Sequence, residues 1–458
     1  MGRKKQVFKP ISPGQVNLYA CGPTTYSYAH IGHFRAYIFV DTLVRMLRYN
    51  GLKVKHVMNI TDVGHLTSDA DTGEDKMEKA AEEEKKTAWE IAEFYTKDFF
   101  NVMEKLNVRR PDIVCKATDH IQDMIALVKK IEKNGYTYKT SDGIYFDTSK
   151  LSDYGKLAGL NIKELKEGAR IEKNPEKKNP TDFALWKFAK EDEKRQMKWN
   201  SPWGQHSFPG WHIECTAMSM KYLGEVYDIH TGGIDHIPVH HTNEIAQAEA
   251  ATGKEFVHYW LHNEFVTING EKMSKSKGNI FKMSDIEEKG FDPLSFRYLF
   301  LTAHYRSKIN FTWESLEAAE KTLNTLREHI RLLQENDIGK TNKKKLEEYK
   351  IKFLEFINDD LKTTEALSLT WKLIRDEKEI SNKDKLELIL EFDKVLGLKL
   401  DKVNSEEKIP ENIQKLIGER EDARKNKDYK KSDEIRDKIR KMGFELQDVK
   451  DGIKVRKI

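Results

Sequence analysis

The segment from Val16 to Ile60 constrains this chain most, because it has the pattern of one strand–helix–strand unit with chemistry in its first turn. Val16-Asn17-Leu18-Tyr19-Ala20 alternates as a short strand does, and Gly22-Pro23-Thr24 breaks it. From Phe34 to Asn50 the apolar residues Ala36, Ile38, Phe39, Leu43, Val44 and Leu47 recur at helical spacing, Gly51 marks the stop, and Val54 to Ile60 is a second strand. The turn holds His30-Ile31-Gly32-His33, two imidazoles three residues apart at the start of the helix. Free N–H groups and the helix dipole favour phosphate there, and imidazole donors add hydrogen bonds that can strengthen as charge develops. Neither the Gly-x-Gly-x-x-Gly fingerprint nor a Walker lysine loop is present, so this is not one of the standard nucleotide turns.

Fixed positive charge comes later, in Lys272-Met273-Ser274-Lys275-Ser276, on a loop bounded by Gly270 and Gly278. A solvated lysine–serine loop is the plain alternative for this stretch, and a structural pair of turn histidines is the plain alternative for the first. Taken jointly and in this order, they describe a site that grips ATP from both sides, with the loop closing on its phosphates.

Composition bounds the answer without deciding it. The 458 residues are 38% hydrophobic and 34% charged, enough for two or three ordinary domains. A net charge of +4 is too mild to announce a nucleic-acid binder, so an RNA partner has to be met by local basic patches. No stretch approaches a membrane helix and the N-terminal residues show no apolar signal core, so the cytoplasm is the expected compartment and no membrane partner is expected. Three cysteines, Cys21, Cys115 and Cys215, without close spacing exclude a disulfide framework, and Cys115 reads as a buried small hydrophobe. His240 and Glu244 are four apart in a helical stretch from His240 to Ala251; alone, such a pair is more often a solvated surface pair than half of a metal site.

The two motifs resemble those of class I aminoacyl-tRNA synthetases, and further residues narrow the resemblance to the cysteinyl-tRNA synthetase family. These are Cys21-Gly22-Pro23-Thr24, Asn59-Ile60-Thr61-Asp62, Ser201-Pro202-Trp203-Gly204, Trp211-His212-Ile213-Glu214-Cys215, Asp228-Ile229-His230, His240-His241 with Asn243-Glu244-Ile245-Ala246-Gln247, and His304-Tyr305-Arg306-Ser307. The resemblance implies one zinc ion per chain on Cys21, Cys215, His240 and Glu244, and a cysteine pocket of Cys21, Gly22, Thr61, Trp211 and His230, with His236 near its floor. It implies phosphate contacts from His30, His33, Lys272 and Lys275, adenosine against Gly232, Gly233 and Asp235, and Mg²⁺ accompanying ATP. The implied reaction joins L-cysteine to ATP as cysteinyl-adenylate and passes it to the 3′-terminal ribose of tRNA(Cys). Zinc favours thiolate over hydroxyl, so serine is rejected without an editing domain. Two rivals stand beside this reading, a ligase joining activated cysteine to an amino sugar and a non-catalytic RNA-binding relative. A monomer is the expected state.

The expected fold class is α/β, a split Rossmann-like parallel-sheet catalytic domain with a connecting insertion, followed by a helical bundle and a small C-terminal α+β module. The halves of the catalytic domain fall at about 1–110 and 201–309, the insertion at 111–200, the bundle at 310–400 and the terminal module at 411–458. Glu74 to Leu106 reads as one charged helix, and Lys340 to Lys345 as a lysine-rich link. Leu316, Ala319, Leu323 and Leu326 read as helical core. In the terminal module, Ile413–Lys425 and Asp428–Lys441 read as helices, and Phe444–Val449 pairs with Ile453–Val455 across Asp451-Gly452. The family reads the anticodon with this region and often carries a tryptophan where this chain has Val455. Three further differences from the family are a late start relative to a strand before Phe8, Thr231-Gly232-Gly233 in place of three glycines, and Pro238-Val239-His240 in place of proline directly before the paired histidines.

Overall fold

A computed structural model describes residues 4–65, 75–159, 175–190, 195–274, 278–335, 337–376, 380–403, 411–449 and 452–457. It divides into two compact units, Met1–Leu400 and Asp401–Ile458. The centre of the first is a five-stranded parallel sheet in the order β10 (Val257–Asn263), β9 (Tyr227–Gly233), β1 (Gln15–Ala20), β2 (Lys53–Ile60), β3 (Ile113–Lys116). Strand order therefore reverses between β1 and β9, and the crevice beyond their carboxyl ends is where open α/β sheets place ligands. β1 is buried along most of its length, as a central parallel strand covered on both faces has to be.

Helix α1 (Ile31–Tyr49) follows β1 and starts three residues earlier than its apolar spacing indicates. The predicted long helix is two, α2 (Lys76–Glu84) and α3 (Ala88–Lys105). Lys85 takes a left-handed φ of 54°, and Thr87 and Glu90 form a capping box that restarts the chain. The charge pattern continues through this break, and the Thr-x-x-Glu signal inside it was the readable clue. Helix α4 (Ile121–Lys133) carries the chain from β3 to a separate antiparallel sheet of β4 (Thr137–Lys139), β5 (Gly143–Phe146), β6 (Phe183–Phe188), β8 (Gly204–Pro209) and β7 (Trp199–Ser201). The parallel sheet thus extends past residue 110 through β3, and the antiparallel sheet extends past residue 200 to Pro209. Helices α5 (Trp211–Leu223) and α6 (His240–Thr252) bracket β9.

A small sheet of β12 (Glu271–Lys272), β11 (Val266–Ile268) and β13 (Ile309–Phe311) carries the lysine motif. Long helices fill the rest of this unit. Leu316, Ala319, Leu323 and Leu326 are buried in the helix Trp313–Glu335. The lysine-rich link is shorter than expected, because Asn342 caps a helix beginning at Lys343. Among the described residues no helix is long and apolar enough to cross a membrane. The second unit is two helices, Glu411–Lys425 and Tyr429–Lys441, and a hairpin of β14 (Phe444–Val449) and β15 (Gly452–Lys457); Asp451 lies outside the described residues. Its core gathers Ile413, Leu416, Ile435, Ile439 and Leu446, with Val455 packed against them.

The helices at the end of the first unit are tied to α1 by a buried ionic knot. Asp41 accepts from Arg45 Nε at 2.7 Å and meets Arg297 Nη2 at 2.6 Å. Arg297 also donates to the carbonyls of Leu396, Leu106 and Asn107. Burial would raise the Asp41 pKa, but Arg297 and then Arg45 outweigh it and hold the carboxyl below its ordinary value. Gly397, at φ 69°, lies so close that an added Cβ would be 2.5 Å from Arg297 Nη2. Removing the carboxylate charge strands two buried guanidinium groups. Asp41→Asn is therefore expected to cost about 3–5 kcal/mol, read as a lower thermal midpoint with the second unit's helices unaffected.

Candidate active site

The exit of β1 is fixed by close backbone packing. A Cβ on Gly22 would stand 1.6 Å from the Asn59 carbonyl oxygen, and Gly22 N–H donates to Asn59 Oδ1 at 2.8 Å. Only glycine permits this approach, and it places Cys21 at the mouth of the crevice. Asn59 in turn donates to Thr61 Oγ1 at 3.0 Å, and Thr61 bridges Thr24 across the strand ends.

At the start of α1 the two histidines cap the helix for each other. His30 Nδ1 accepts from Gly32 N–H, and His33 Nδ1 accepts from His30 N–H, both at 3.2 Å. Their rings stack with centroids 3.7 Å apart. With each Nδ1 used as an acceptor, a neutral ring carries its proton on Nε2, leaving a donor free for a ligand. Burial lowers the His30 pKa; burial, then His30 and His236, lower that of His33. The turn therefore offers neutral N–H donors at pH 7.

The lysine motif reaches this turn through backbone pairing. Ile31 N–H donates to the Phe281 carbonyl at 2.9 Å, and His30 bridges Lys282. Met273 packs on Gly32, where an added Cβ would meet its Cε at 2.4 Å. Lys272 stands on β12, joined to β11 by Asn269 and Gly270, at φ 50° and 81°. Such an Asn-Gly pair makes the tight two-residue hairpin turn. That dipeptide is a local turn signal legible in the sequence itself. Lys275 and Ser276 lie outside the described residues.

Across the crevice, α5 and α6 bring Cys215, His240, His241 and Glu244 toward Cys21. Two quartets have ligand atoms all within 4.8 Å of one another, Cys21–Cys215–His240–Glu244 and Cys21–His230–His241–Glu244. Cys21 Sγ is 3.4 Å from the Nε2 atoms of both His230 and His241, and His230 Nε2 is 3.6 Å from Glu244 Oε2. Ligands about 2.1–2.3 Å from a shared ion stand roughly 3.4–3.8 Å apart. Glu244 is fully buried, and among the described residues neither carboxylate oxygen has a hydrogen-bond partner, although His240 Nε2 lies 3.0 Å away. Its lone pairs converge with the imidazole's on common space, as a cation's ligands do. Burial raises the Glu244 pKa, and burial first of all drives those of His230 and His241 well down, so the rings are in the neutral, ligating form. Cys21 and Cys215 share a contact that lowers the Cys215 pKa, while burial raises that of Cys21.

Each ring nitrogen facing away from this space is held. His240 Nδ1 meets His212 Nδ1 at 2.8 Å, His241 Nδ1 meets His262 Nε2 at 2.7 Å, and His230 Nδ1 meets Tyr227 Oη at 2.6 Å. Metal-ligating histidines are oriented this way. His262 and Tyr227 lie outside the motifs quoted above, and His212, though inside the Trp211–Cys215 motif, had no role assigned, since nothing in their spacing points to the crevice. Trp211 packs on His240 with centroids 5.2 Å apart, and His236 lies between His240 and His241. Gly232 makes room for that crowding, since a Cβ would fall 2.6 Å from His241 Cε1. Asp235 is exposed beside Gly233. Cys115 is buried on β3 and takes no part.

A parallel sheet with its crevice at a switch point, a helix-capping histidine pair and a lysine hairpin folded onto it define a class I aminoacyl-tRNA synthetase. Residues 7–321 match the family description "tRNA synthetases class I (C) catalytic domain", and residues 406–456 match "Cysteinyl-tRNA ligase anticodon binding domain". The cysteine–tRNA ligase of Treponema denticola is 50% identical over 98% of this chain and 96% of its own length. Cysteine–tRNA ligase 1 of Burkholderia lata is 48% identical over 98% and 94%. The methionyl-tRNA synthetase of Mycobacterium tuberculosis, solved with methionyl-adenylate, shares the fold at a TM-score of 0.60 and 16% identity, covering 84% of this chain and 90% of that one. The chain belongs to the cysteine–tRNA ligase family.

Glu244 is common to both quartets, so it tests the cluster as a whole. Elemental analysis is expected to find about one transition-metal ion per wild-type chain and well under half of that in Glu244→Gln. Equal loading of the two proteins would remove Glu244 from any metal site.

Proposed function

We propose that the chain activates L-cysteine with ATP and transfers it to tRNA(Cys), with the zinc on Cys21, Cys215, His240 and Glu244. The observation that carries this reading is the convergence at one switch-point crevice of neutral phosphate donors, a lysine hairpin and a sulfur-containing ligand cluster. Of the two quartets, the one with two cysteines suits zinc better, because zinc favours thiolate and four protein ligands make a closed set. Zinc held there supplies a selective contact for the sulfur of cysteine that a serine hydroxyl cannot match. Trp211, Thr61, Gly22 and His230 wall the small side chain.

The carboxylate of cysteine attacks the α-phosphate of ATP in line, and pyrophosphate leaves; the terminal ribose hydroxyl of the tRNA then attacks the carbonyl and AMP leaves. His30 and His33 donate through Nε2 to the phosphates without carrying charge of their own. Lys272 and Lys275 supply positive charge to the departing pyrophosphate, which gains negative charge in the transition state. Gly232, Gly233 and Asp235 receive the adenosine, and Mg²⁺ accompanies ATP. No enzyme nucleophile is needed, so rate comes from positioning and electrostatics. The anticodon-binding description of residues 406–456 favours a tRNA acceptor over an amino sugar. We place the helical bundle at about 310–400, between the catalytic part and that terminal module. The cytoplasm and a monomeric state complete the reading.

In the terminal module Val455 backs onto the core, and Tyr429, 62% exposed beside Lys427, Lys430 and Lys431, takes the role of the stacking ring. Tyr429→Ala is expected to raise the KM for tRNA by roughly 5- to 100-fold, the worth of one stacked base, and Tyr429→Trp to restore it. Neither should alter cysteine-dependent pyrophosphate exchange. A Tyr429→Ala enzyme that charges tRNA normally would move the stacking role elsewhere.

Exchange of pyrophosphate into ATP tests the first step directly. It should require cysteine, fail with serine, and fall by two or more orders of magnitude, roughly, in Lys275→Ala with little change in cysteine affinity. His240→Ala should lower metal content where His241→Ala leaves it near the wild-type level. Exchange that proceeds without cysteine, or loss of metal only in His241→Ala, would contradict these assignments.

A further inference from the structure

One buried cation beside the histidine turn has no place in the chemistry above. Arg35 follows His33 by two residues on α1, is 3% exposed, and forms no ion pair among the described residues. Its guanidinium is met instead by carbonyl oxygens from two separate segments. Nη1 donates to Glu264 at 2.7 Å and Phe265 at 2.5 Å; Nη2 donates to Ser307 and, more loosely, to His304 and Tyr305 at 3.4 and 3.3 Å. Burial lowers its pKa only to about 10, so the charge persists at pH 7.

Both gripped segments are roots of the small sheet that carries Lys272. Residues 264–265 lead into β11 and residue 307 into β13, which pair in parallel at Val266↔Ile309. β12 pairs with β11 alone in the sheet, at Thr267↔Lys272 and Ile268↔Glu271, and Asn279 Nδ2 also donates to the Lys272 carbonyl at 3.2 Å. The turn between them is tied back to β13 by Gly270 N–H donating to Asn310 Oδ1 at 2.6 Å. One guanidinium thus joins the helix bearing His30 and His33 to both strands from which the lysine hairpin hangs. A lysine in its place has a single nitrogen and cannot reach both sets of carbonyls at once.

We propose that Arg35 is a positioning residue that sets where Lys272 stands over the histidine pair, so that adenylate formation depends on a group that touches no substrate. This rests on the reading of Lys272 as a phosphate-contacting residue. A displacement of about 1 Å at a reacting group can cost roughly 100-fold in rate, which is the scale expected here.

The test is a double-mutant cycle on single-turnover formation of cysteinyl-adenylate with the full-length enzyme, comparing wild type, Arg35→Lys, Lys272→Met and the double variant. Arg35→Lys is expected to slow activation roughly 10- to 100-fold while leaving the KM for cysteine and transfer from preformed adenylate to tRNA within about twofold of wild type. If Arg35 acts through the hairpin, the double variant is no slower than the slower single variant, since residues that act as one unit are not additive. Independent, multiplying losses would overturn the proposal, as would parallel losses in activation and transfer. Asn310→Ala, an exposed change that cuts the same hairpin from β13 without burying a charge, is expected to give a smaller loss of the same pattern. Wild-type activation in both Arg35→Lys and Asn310→Ala would also overturn it. A wild-type rate in Lys272→Met alone would instead defeat the reading of Lys272, and the positioning role with it.

Discussion

Glu244 is a fully buried carboxylate whose oxygens have no hydrogen-bond partner among the described residues, set where the strand order of the parallel sheet reverses. An ionised group in that position costs several kcal/mol unless a cation answers it. Much of the crevice is arranged around this demand. Imidazoles of His230 and His241 are held neutral by burial, and His230, His240 and His241 are all turned inward by partners on their far nitrogens. Cys21 is delivered from the opposite side by a strand exit that only Gly22 allows. Strand order alone would supply a crevice; on the function we propose, the buried carboxylate gives it a preference for what enters.

On the function we propose, the phosphate side is built on the contrary principle. Its histidines cap α1, so their Nδ1 atoms are committed to the backbone and their Nε2 atoms face outward. Neutral donors there hold a ligand's charge without needing a counter-ion, and the positive charge is reserved for a hairpin anchored on the same helix through Met273, Phe281 and Arg35. In that reading, cationic charge on a separate, attached element is aimed at the leaving group, where it acts on the transition state more than on the ground state.

Much of this was readable beforehand, for identifiable reasons. The βαβ unit, the histidine turn and the lysine loop are local patterns, and so are the terminal helices and hairpin. The break at Lys85 was missed because charge periodicity runs through it, although Thr87 and Glu90 announced the restart. The contributions of His212, His262 and Tyr227 depend on contacts between elements far apart in sequence, which spacing cannot show. Arg35 looked like an ordinary helix residue until its carbonyl partners, more than 220 residues away, were in view. Resemblance picked out Cys215 and His240, whereas geometry by itself admits His230 and His241 equally.

The central claim is that cysteine is chosen through its sulfur at the Cys21–Glu244 cluster. Calorimetric titration of cysteine and serine into metal-loaded and chelated protein tests it most directly. The account predicts that loaded protein binds cysteine at least about 100-fold more tightly than serine, beyond what a pocket sensing size alone provides, and that chelation removes most of this preference. An undiminished preference in chelated protein would contradict the account and hand selection to the walls of the pocket.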